Sequence, residues 1–278
     1  MTAYRLLAML VSLLLWPCRQ IARRVFPSCF PASRPSFVIL TYHGVKGHEK
    51  AAFERHMDLL RRTYVPVAAD FGEEGKRCTH CVAVTFDDAY QNVLTNALPI
   101  LMEKRIPATI FVPTGFMGGR PGWMKDQNPD RATERVMTEE QLRTLPADLF
   151  TIGSHSCSHT RLTGLTSGEI EEDLGNSKER LEKVLGREVC MLAYPYDDWD
   201  DRLIRISRKL GFTRVFANAA VNRSTETGGY LYSRTQVSMD DGDLEVRLKM
   251  RGAYWWLAYA IAFKHRLEGS TGARPRSN

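Results

Sequence analysis

Apolar residues follow two alternating rhythms along the chain. Short runs, "SFVILTY" (36–42), "VAVTF" (82–86), "ATIFV" (108–112), "CMLAY" (190–194) and "RVFA" (214–217), are dominated by β-branched, aromatic and other apolar side chains. Continuous runs of this length predict strands buried on both faces, as in a parallel sheet. Between them the period lengthens. Phe53, Met57 and Leu60 mark one face of a helix reaching Arg62, and Asn92–Lys104 continues the helical pattern with a bend expected at Pro99. Thr138 with Gln141, and Thr166 with Glu169, have capping-box spacing, the second opening a helix to about Leu185; a further helix is expected over Asp201–Leu210. About seven strand–helix units without an internal repeat predict an α/β fold, either a parallel barrel or a doubly wound sheet. Residues 113–137 carry Gly, Pro and charge without a period, which predicts a long loop of the kind that forms lids.

The two ends break this rhythm. "LLAMLVSLLLW" (Leu6–Trp16) and "AYWWLAYAIAF" (Ala253–Phe263) are apolar runs flanked by basic residues. Eleven helical residues reach only about 16 Å, against roughly 30 Å of bilayer hydrocarbon. The first is therefore expected to be a short uncleaved anchor or interfacial helix. The second is expected to be an aromatic interfacial helix or a buried terminal one. The division that follows is an anchor and basic linker over 1–35, a catalytic domain over 36–245, and an aromatic helix with a basic tail over 246–278. Positive charge flanking the first run favours the cytoplasmic side by a single charge.

Composition narrows the partners. With 278 residues, 44% hydrophobic, 25% charged and a net charge of +6, the chain is an ordinary globular one. Its basic residues gather at the ends and form no stripe, so nucleic acid is not an expected partner and a membrane surface is. The six cysteines do not form a disulfide framework, and Cys78 and Cys81 of "CTHC" are read as two thiols in a loop.

Three constellations carry candidate chemistry. In "TFDD" (85–88), a buried strand runs into two carboxylates, at the end where parallel α/β folds build their sites. A helix-capping pair is the plainer alternative. In "HSCSHT" (155–160), His155 and His159 would share one face of a helical turn, within reach of a single ion, while Cys157 points away. A strand-end carboxylate would complete an Asp-His-His set with positions open to water and substrate, the pattern of catalytic zinc. In "LAYPYDDWD" (192–200), Pro195 stiffens a turn that can aim a backbone N–H at an oxyanion.

Taken together, Thr85-Phe86-Asp87-Asp88, His155-Ser156-Cys157-Ser158-His159-Thr160 and Ala193-Tyr194-Pro195-Tyr196 resemble the three ordered motifs of the polysaccharide deacetylases, the NodB-homology carbohydrate esterases. The resemblance covers about residues 36–236. It implies a distorted parallel (β/α) barrel of about seven strands. Asp87 would be the general base, Asp88, His155 and His159 the ligands of a divalent metal expected to be Zn2+, and the Tyr196 amide an oxyanion donor. Two departures stand out. Ala193 occupies the place of an arginine that in the family pairs with the base, and no late L-x-x-H supplies the general acid. An earlier one, Leu40-Thr41-Tyr42-His43, resembles the permuted arrangement of poly-N-acetylglucosamine deacetylases and assigns the acid to His43. Pro195, Trp123 and Tyr42 are expected to face the substrate. The implied function is metal-dependent removal of an N-acetyl group from a sugar in a surface polysaccharide or lipid-linked glycan. A catalytically silent glycan-binding protein and a deacylase of a non-sugar amide stay open as alternatives.

Overall fold

The computed structural model describes residues 3–26, 37–71, 78, 80–124, 133–218 and 230–260. Seven parallel strands close into a barrel: β1 (Phe37–Tyr42), β3 (Cys81–Phe86), β4 (Ala108–Val112), β5 (Phe150–Ser154), β6 (Met191–Ala193), β7 (Arg214–Asn218) and β8 (Leu231–Gln236). Closure comes from β1. It pairs along its whole length with β3, from Phe37↔Cys81 to Tyr42↔Phe86, and through Leu40↔Thr235 and Thr41↔Gln236 with β8. The short β2 (Val65–Val67) lies along the opening half of β3. The apolar runs predict five of the barrel strands, whereas β8, "LYSRTQ", is too polar to stand out.

A period of two divides the side chains between two cores. Ile39, Ala83, Phe111, Met191, Ala193 and Phe216 form a small cluster inside the barrel. Neighbours of the other phase, such as Leu40, Phe86 and Ile110, join a larger core beneath the helices. The interior is tight: a Cβ on Gly153 would lie 2.5 Å from the Phe111 ring, so glycine makes room for that ring.

Around the barrel lie α2 (Lys50–Thr63), α3 (Leu98–Glu103), α4 (Glu139–Arg143), α5 (Ser167–Leu185), α6 (Asp201–Lys209) and α7 (Asp243–Met250). Both predicted capping boxes are present, at Thr138/Gln141 and Thr166/Glu169. The irregularity expected at Pro99 takes the form of a π-turn over Val93–Ala97, after which α3 starts with Pro99 in its first turn, where no N–H is required.

The amino-terminal helix α1 (Ala3–Val25) is twice the length of the apolar run that announces it. It lies against α7 and the segment after it, with Ala8, Leu248, Ala253 and Tyr254 forming a small core. Residues 256–260 are helical, while the rest of the Ala253–Phe263 run and the basic tail lie outside the described residues, as does part of the expected lid loop. One expectation is corrected. Cys78 and Cys81 are joined in a disulfide, their Cα atoms 5.9 Å apart, within ordinary bridging range.

Candidate active site

The same two-residue period builds the mouth of the barrel. Ile39, Thr41 and His43 share one phase of β1, and Ala83, Thr85 and Asp87 share one phase of β3. The Thr41 and Thr85 hydroxyls meet at 3.2 Å inside the barrel. Continuing each strand one step past its end brings His43, Asp87 and, from β5, His155 to the mouth. The Asp87 amide still donates to the Tyr42 carbonyl at 2.9 Å, which fixes the point where β3 leaves the sheet.

Past the strand ends the backbone is forced. Among the described non-glycine residues, eight have positive φ, and six of them, Asp88, Ala89, Ser156, His159, Tyr196 and Asp197, lie in or beside the three motifs. Backbone cost is thus concentrated where the site is assembled. This corrects the expected geometry of the histidine pair. Positive φ at Ser156 (64°) and His159 (51°) makes the segment an irregular turn and no helix. The turn is held by the Asp173 carboxylate, which accepts from the Cys157 and Ser158 amides at 2.8 and 3.0 Å, and by the Ser156 hydroxyl, which accepts from the His159 amide at 2.9 Å.

Asp88, His155 and His159 are buried together, one ligand atom of each lying within 4.8 Å of the others. From Asp88 Oδ1, His159 Nε2 is 3.1 Å and His155 Nε2 3.7 Å away. Two donors about 2.0–2.1 Å from a tetrahedral ion would be ~3.4 Å apart, so the set fits a divalent cation. The chemistry of the donors agrees. His155 donates its Nδ1–H to the Ala193 carbonyl at 2.8 Å, which leaves Nε2 as the lone-pair nitrogen facing Asp88. Burial, against the pull of Asp87, lowers the His155 pKa to about 4, so the ring is neutral at pH 7. Buried Asp88 Oδ1 and His159 Nδ1 have no hydrogen-bond partner among the described residues. Burial would raise the Asp88 carboxyl, but His159, His43 and His155 hold it far below the usual range. Cys157 stands outside the set.

Asp87 has a partner that the motifs do not reveal. Arg234 on β8 points into the barrel and donates to both carboxylate oxygens, Nη1 to Oδ1 at 2.7 Å and Nη2 to Oδ2 at 2.8 Å. Its guanidinium lies over the Phe111 ring, 5.4 Å from the centroid. Burial would raise Asp87, yet Arg234, with His155 and His43 nearby, brings it below the usual carboxylate range. The role left open by the arginine missing at Ala193 is thus filled from a distant part of the chain. Ala193 keeps the interior open and β8 supplies the cation from across the barrel. The signal in the sequence is slight: Arg234 falls in phase with Tyr232, which packs on the interior cluster.

The remaining predicted residues divide. Tyr196 packs edge-on against His159, ring centroids 5.1 Å apart, with Arg161 over its other neighbourhood at 4.9 Å. Trp123 stacks on His159 at 4.0 Å and 20°, and so walls the cluster. His43 is half-buried at the end of β1 and borders a 220 Å³ cavity with Gln236 and Met239. Pro195 is buried and serves the turn, not a ligand surface. Tyr42 is a further correction: fully buried among Phe53, Phe86 and His56, its side chain belongs to the core and cannot face a substrate.

The family model for polysaccharide deacetylase matches residues 74–215, just over half of the chain. The Bacillus subtilis protein YxkH, named for the same family, is 26% identical over 219 residues, covering 75% of this chain and 72% of its own length. The poly-beta-1,6-N-acetyl-D-glucosamine N-deacetylase of Staphylococcus aureus is 26% identical over 176 residues, covering 61% of this chain and 59% of that enzyme. Among solved structures, IcaB from Ammonifex degensii superimposes with a TM-score of 0.64 at 25% identity, covering 80% of this chain and 97% of that one. The Streptococcus pyogenes deacetylase PplD, solved with acetate, superimposes at 0.65 and 18% identity over 78% and 99%. With both motifs, the barrel and the family match in agreement, the chain belongs to the polysaccharide deacetylase family.

Proposed function

We propose that the protein is a metal-dependent N-deacetylase of an N-acetylated amino sugar in a surface polysaccharide or lipid-linked glycan, working at a membrane surface. The observation that carries this is one juxtaposition: a buried base clamped by arginine, Asp87–Arg234, beside the buried Asp88–His155–His159 trio at the barrel mouth. The named activity of the staphylococcal relative supports the choice of substrate.

A divalent cation held by Asp88, His155 and His159 would supply Lewis acidity, polarising the amide and acidifying water. Asp87 takes the proton of the attacking water. Arg234 keeps that carboxylate ionised and aimed, so it is ready as a base at neutral pH. The Tyr196 amide, in the turn after β6, stabilises the oxyanion in this scheme. His43 delivers a proton to the departing nitrogen as the C–N bond breaks, and acetate and a free amino sugar leave. A base left without its arginine would suit a silent binding protein, and Arg234 supplies that cation here.

The test is acetate release from N-acetylglucosamine oligomers together with metal analysis. Asp87→Asn is expected to keep its metal while turnover falls by about 10²–10⁴. Undiminished turnover in this variant would remove Asp87 from the mechanism, and bound metal with no acetate from any glycan would favour a non-sugar amide.

Membrane attachment rests on α1. Its outer face exposes Leu6, Leu7, Leu10, Leu13 and Leu14, together with Ile21 and Val25. By length and composition the helix is long and apolar enough to span, with an 18-residue stretch within Tyr4–Val25 at mean hydropathy 1.3. Its polar contacts favour lying in the plane of the surface. Arg5 pairs with Asp241 and Glu245, Ser12 accepts from the Trp256 indole at 2.9 Å, and Arg19 stacks on Trp255, so about 20 Å of helix is tied to the domain. Alkaline carbonate should therefore strip the protein from membranes; retention in the pellet would mean that α1 spans. The Cys78–Cys81 disulfide supports an oxidising compartment, against the one-charge preference for the cytoplasmic side.

A further inference from the structure

Behind α1, away from the barrel mouth, lies a cavity of about 720 Å³ that the deacetylase chemistry does not use. It sits over the opening half of β1, where β8 has splayed away after pairing only at Leu40 and Thr41. Its size falls within the roughly 300–1,000 Å³ of small-molecule sites. The lining is unusual. Arg19, Arg23 and Arg251 converge there with Trp16, Trp255 and Tyr64, and among the described lining residues none is acidic. Two of the three cations are positioned, not loose: Arg19 lies 4.4 Å from the Trp255 centroid, and Arg251 lies 5.3 Å from that of Trp16. Burial and the neighbouring Arg23 both lower the Arg19 pKa, and among the described residues no carboxylate pairs with it.

We propose that this cavity binds the phosphate-bearing headgroup of an anionic phospholipid, gripped by Arg19, Arg23 and Arg251 between the indoles of Trp16 and Trp255. Guanidinium groups match phosphate oxygens in pairs, and tryptophan is at home at the level of lipid headgroups. The choice of a lipid over a free phosphate follows from the wall. The helix that supplies Arg19 and Arg23 to the cavity presents Leu10, Leu13 and Leu14 outward, so a bound headgroup would have its chains beside an apolar face. The proposal rests on α1 lying on a membrane.

The experiment is vesicle co-sedimentation of the full chain with phosphatidylcholine alone and with 30% phosphatidylglycerol, for wild type, Arg19→Gln, Arg23→Gln and Arg24→Gln. Arg24 is exposed and lies outside the cavity, so it reports general surface charge. Anionic vesicles are expected to bind wild type at least tenfold more tightly than neutral ones. Each cavity variant should lose about fivefold or more, and Arg24→Gln less than the cavity variants. Soluble dihexanoyl-phosphatidylglycerol should change the tryptophan fluorescence, whereas inorganic phosphate should bind at least tenfold more weakly. Arg23 makes no ring contact, so its variant serves if Arg19→Gln misfolds; turnover of a soluble oligomer checks folding in both. Equal binding to neutral and anionic vesicles would overturn the headgroup site while leaving membrane attachment intact. Equal losses in Arg24→Gln and the cavity variants would reduce it to surface charge. Inorganic phosphate binding as tightly as the lipid would make it a free-phosphate site, and no binding to any vesicle would overturn the membrane reading itself.

Discussion

Two places in the molecule bury carboxylates against arginine, and they do opposite things with the pairing. At the seam between α1 and α7, Arg5 and Lys249 meet Asp241 and Glu245, and each of the four carboxylate oxygens has a cation within 2.5–3.4 Å. At the barrel mouth Asp87 has both oxygens paired with Arg234, which lies 3.8 Å from Asp197 as well. Its neighbour Asp88 has an oxygen without a hydrogen-bond partner among the described residues, and the backbone around both is in the left-handed region or next to it. A closed set of charges fastens a helix. The open set holds donor atoms for a ligand, at a cost that the rest of the fold must cover. Arginine is thus a bolt in one region and a tuning element in the other.

The sharpest way to break this comparison is Arg234→Met. It leaves Asp87 buried without its cation, which costs about 3–5 kcal/mol where such pairs are broken. Turnover should fall by about a hundredfold or more, within the range by which a positioned base contributes. With the guanidinium gone, the carboxyl is no longer held down, so protonation of the base persists to higher pH and the acid limb of kcat/KM moves upward. Metal content should be unchanged. A variant that loses stability but keeps the wild-type pH profile would make Arg234 a bolt like Arg5, and the distinction would collapse.

That Arg234 escaped the sequence reading has a physical cause. Strands buried on both faces announce themselves by apolar runs, and β1, β3 and β4 were legible almost to the residue. The strand β8 carries Ser233, Arg234, Thr235 and Gln236, because one of its faces meets a charged site and the other the open seam of the barrel. Its polarity is functional, and it hides the strand. That Asp88, His155 and His159 come together was legible because ligand chemistry restricts residue type so strongly. The turn that delivers them was not, since Ser156 has no preference for positive φ and the four-residue spacing of the histidines suits a helical turn equally well. Tyr42 failed for a related reason: it neighbours His43, and adjacent residues on a strand point to opposite sides. Pairing of Cys78 with Cys81 depends on a Cα separation that spacing alone does not set.

Breaking the other half of the comparison should disturb stability and spare chemistry. Arg5→Met removes one of two cations from Asp241 and Glu245; with its side chain 23% exposed, part of the loss is made good by water, and about 1–3 kcal/mol is expected. The midpoint of urea unfolding should fall accordingly, while turnover of a soluble oligomer stays within twofold. A hundredfold loss of turnover would show instead that the seam reaches the mouth. The route is visible, because the Asp241 carbonyl contacts His56 and His56 contacts the Tyr42 hydroxyl at 3.4 Å, one residue from His43.

The smallest effect belongs to the residue lying between the two histidines. Cys157 shares a motif with two proposed ligands and carries a sulfur that suits zinc, so a Cys-His-His site is the obvious rival to Asp-His-His. In the structure it takes part through its backbone. Its amide donates to Asp173 and its carbonyl accepts from the Gly115 amide at 3.0 Å, which ties the turn to the loop after β4. A Cβ on Gly115 would come within 2.6 Å of that carbonyl, so the approach of the two chains, not the thiol, is what the turn depends on. Cys157→Ser keeps the backbone and nearly the volume, and should keep metal stoichiometry and turnover within about twofold, as for a substitution that touches no packing or polar network. Loss of the metal in this variant would transfer a ligand position from Asp88 to Cys157, and the open oxygen of Asp88 would then need another explanation.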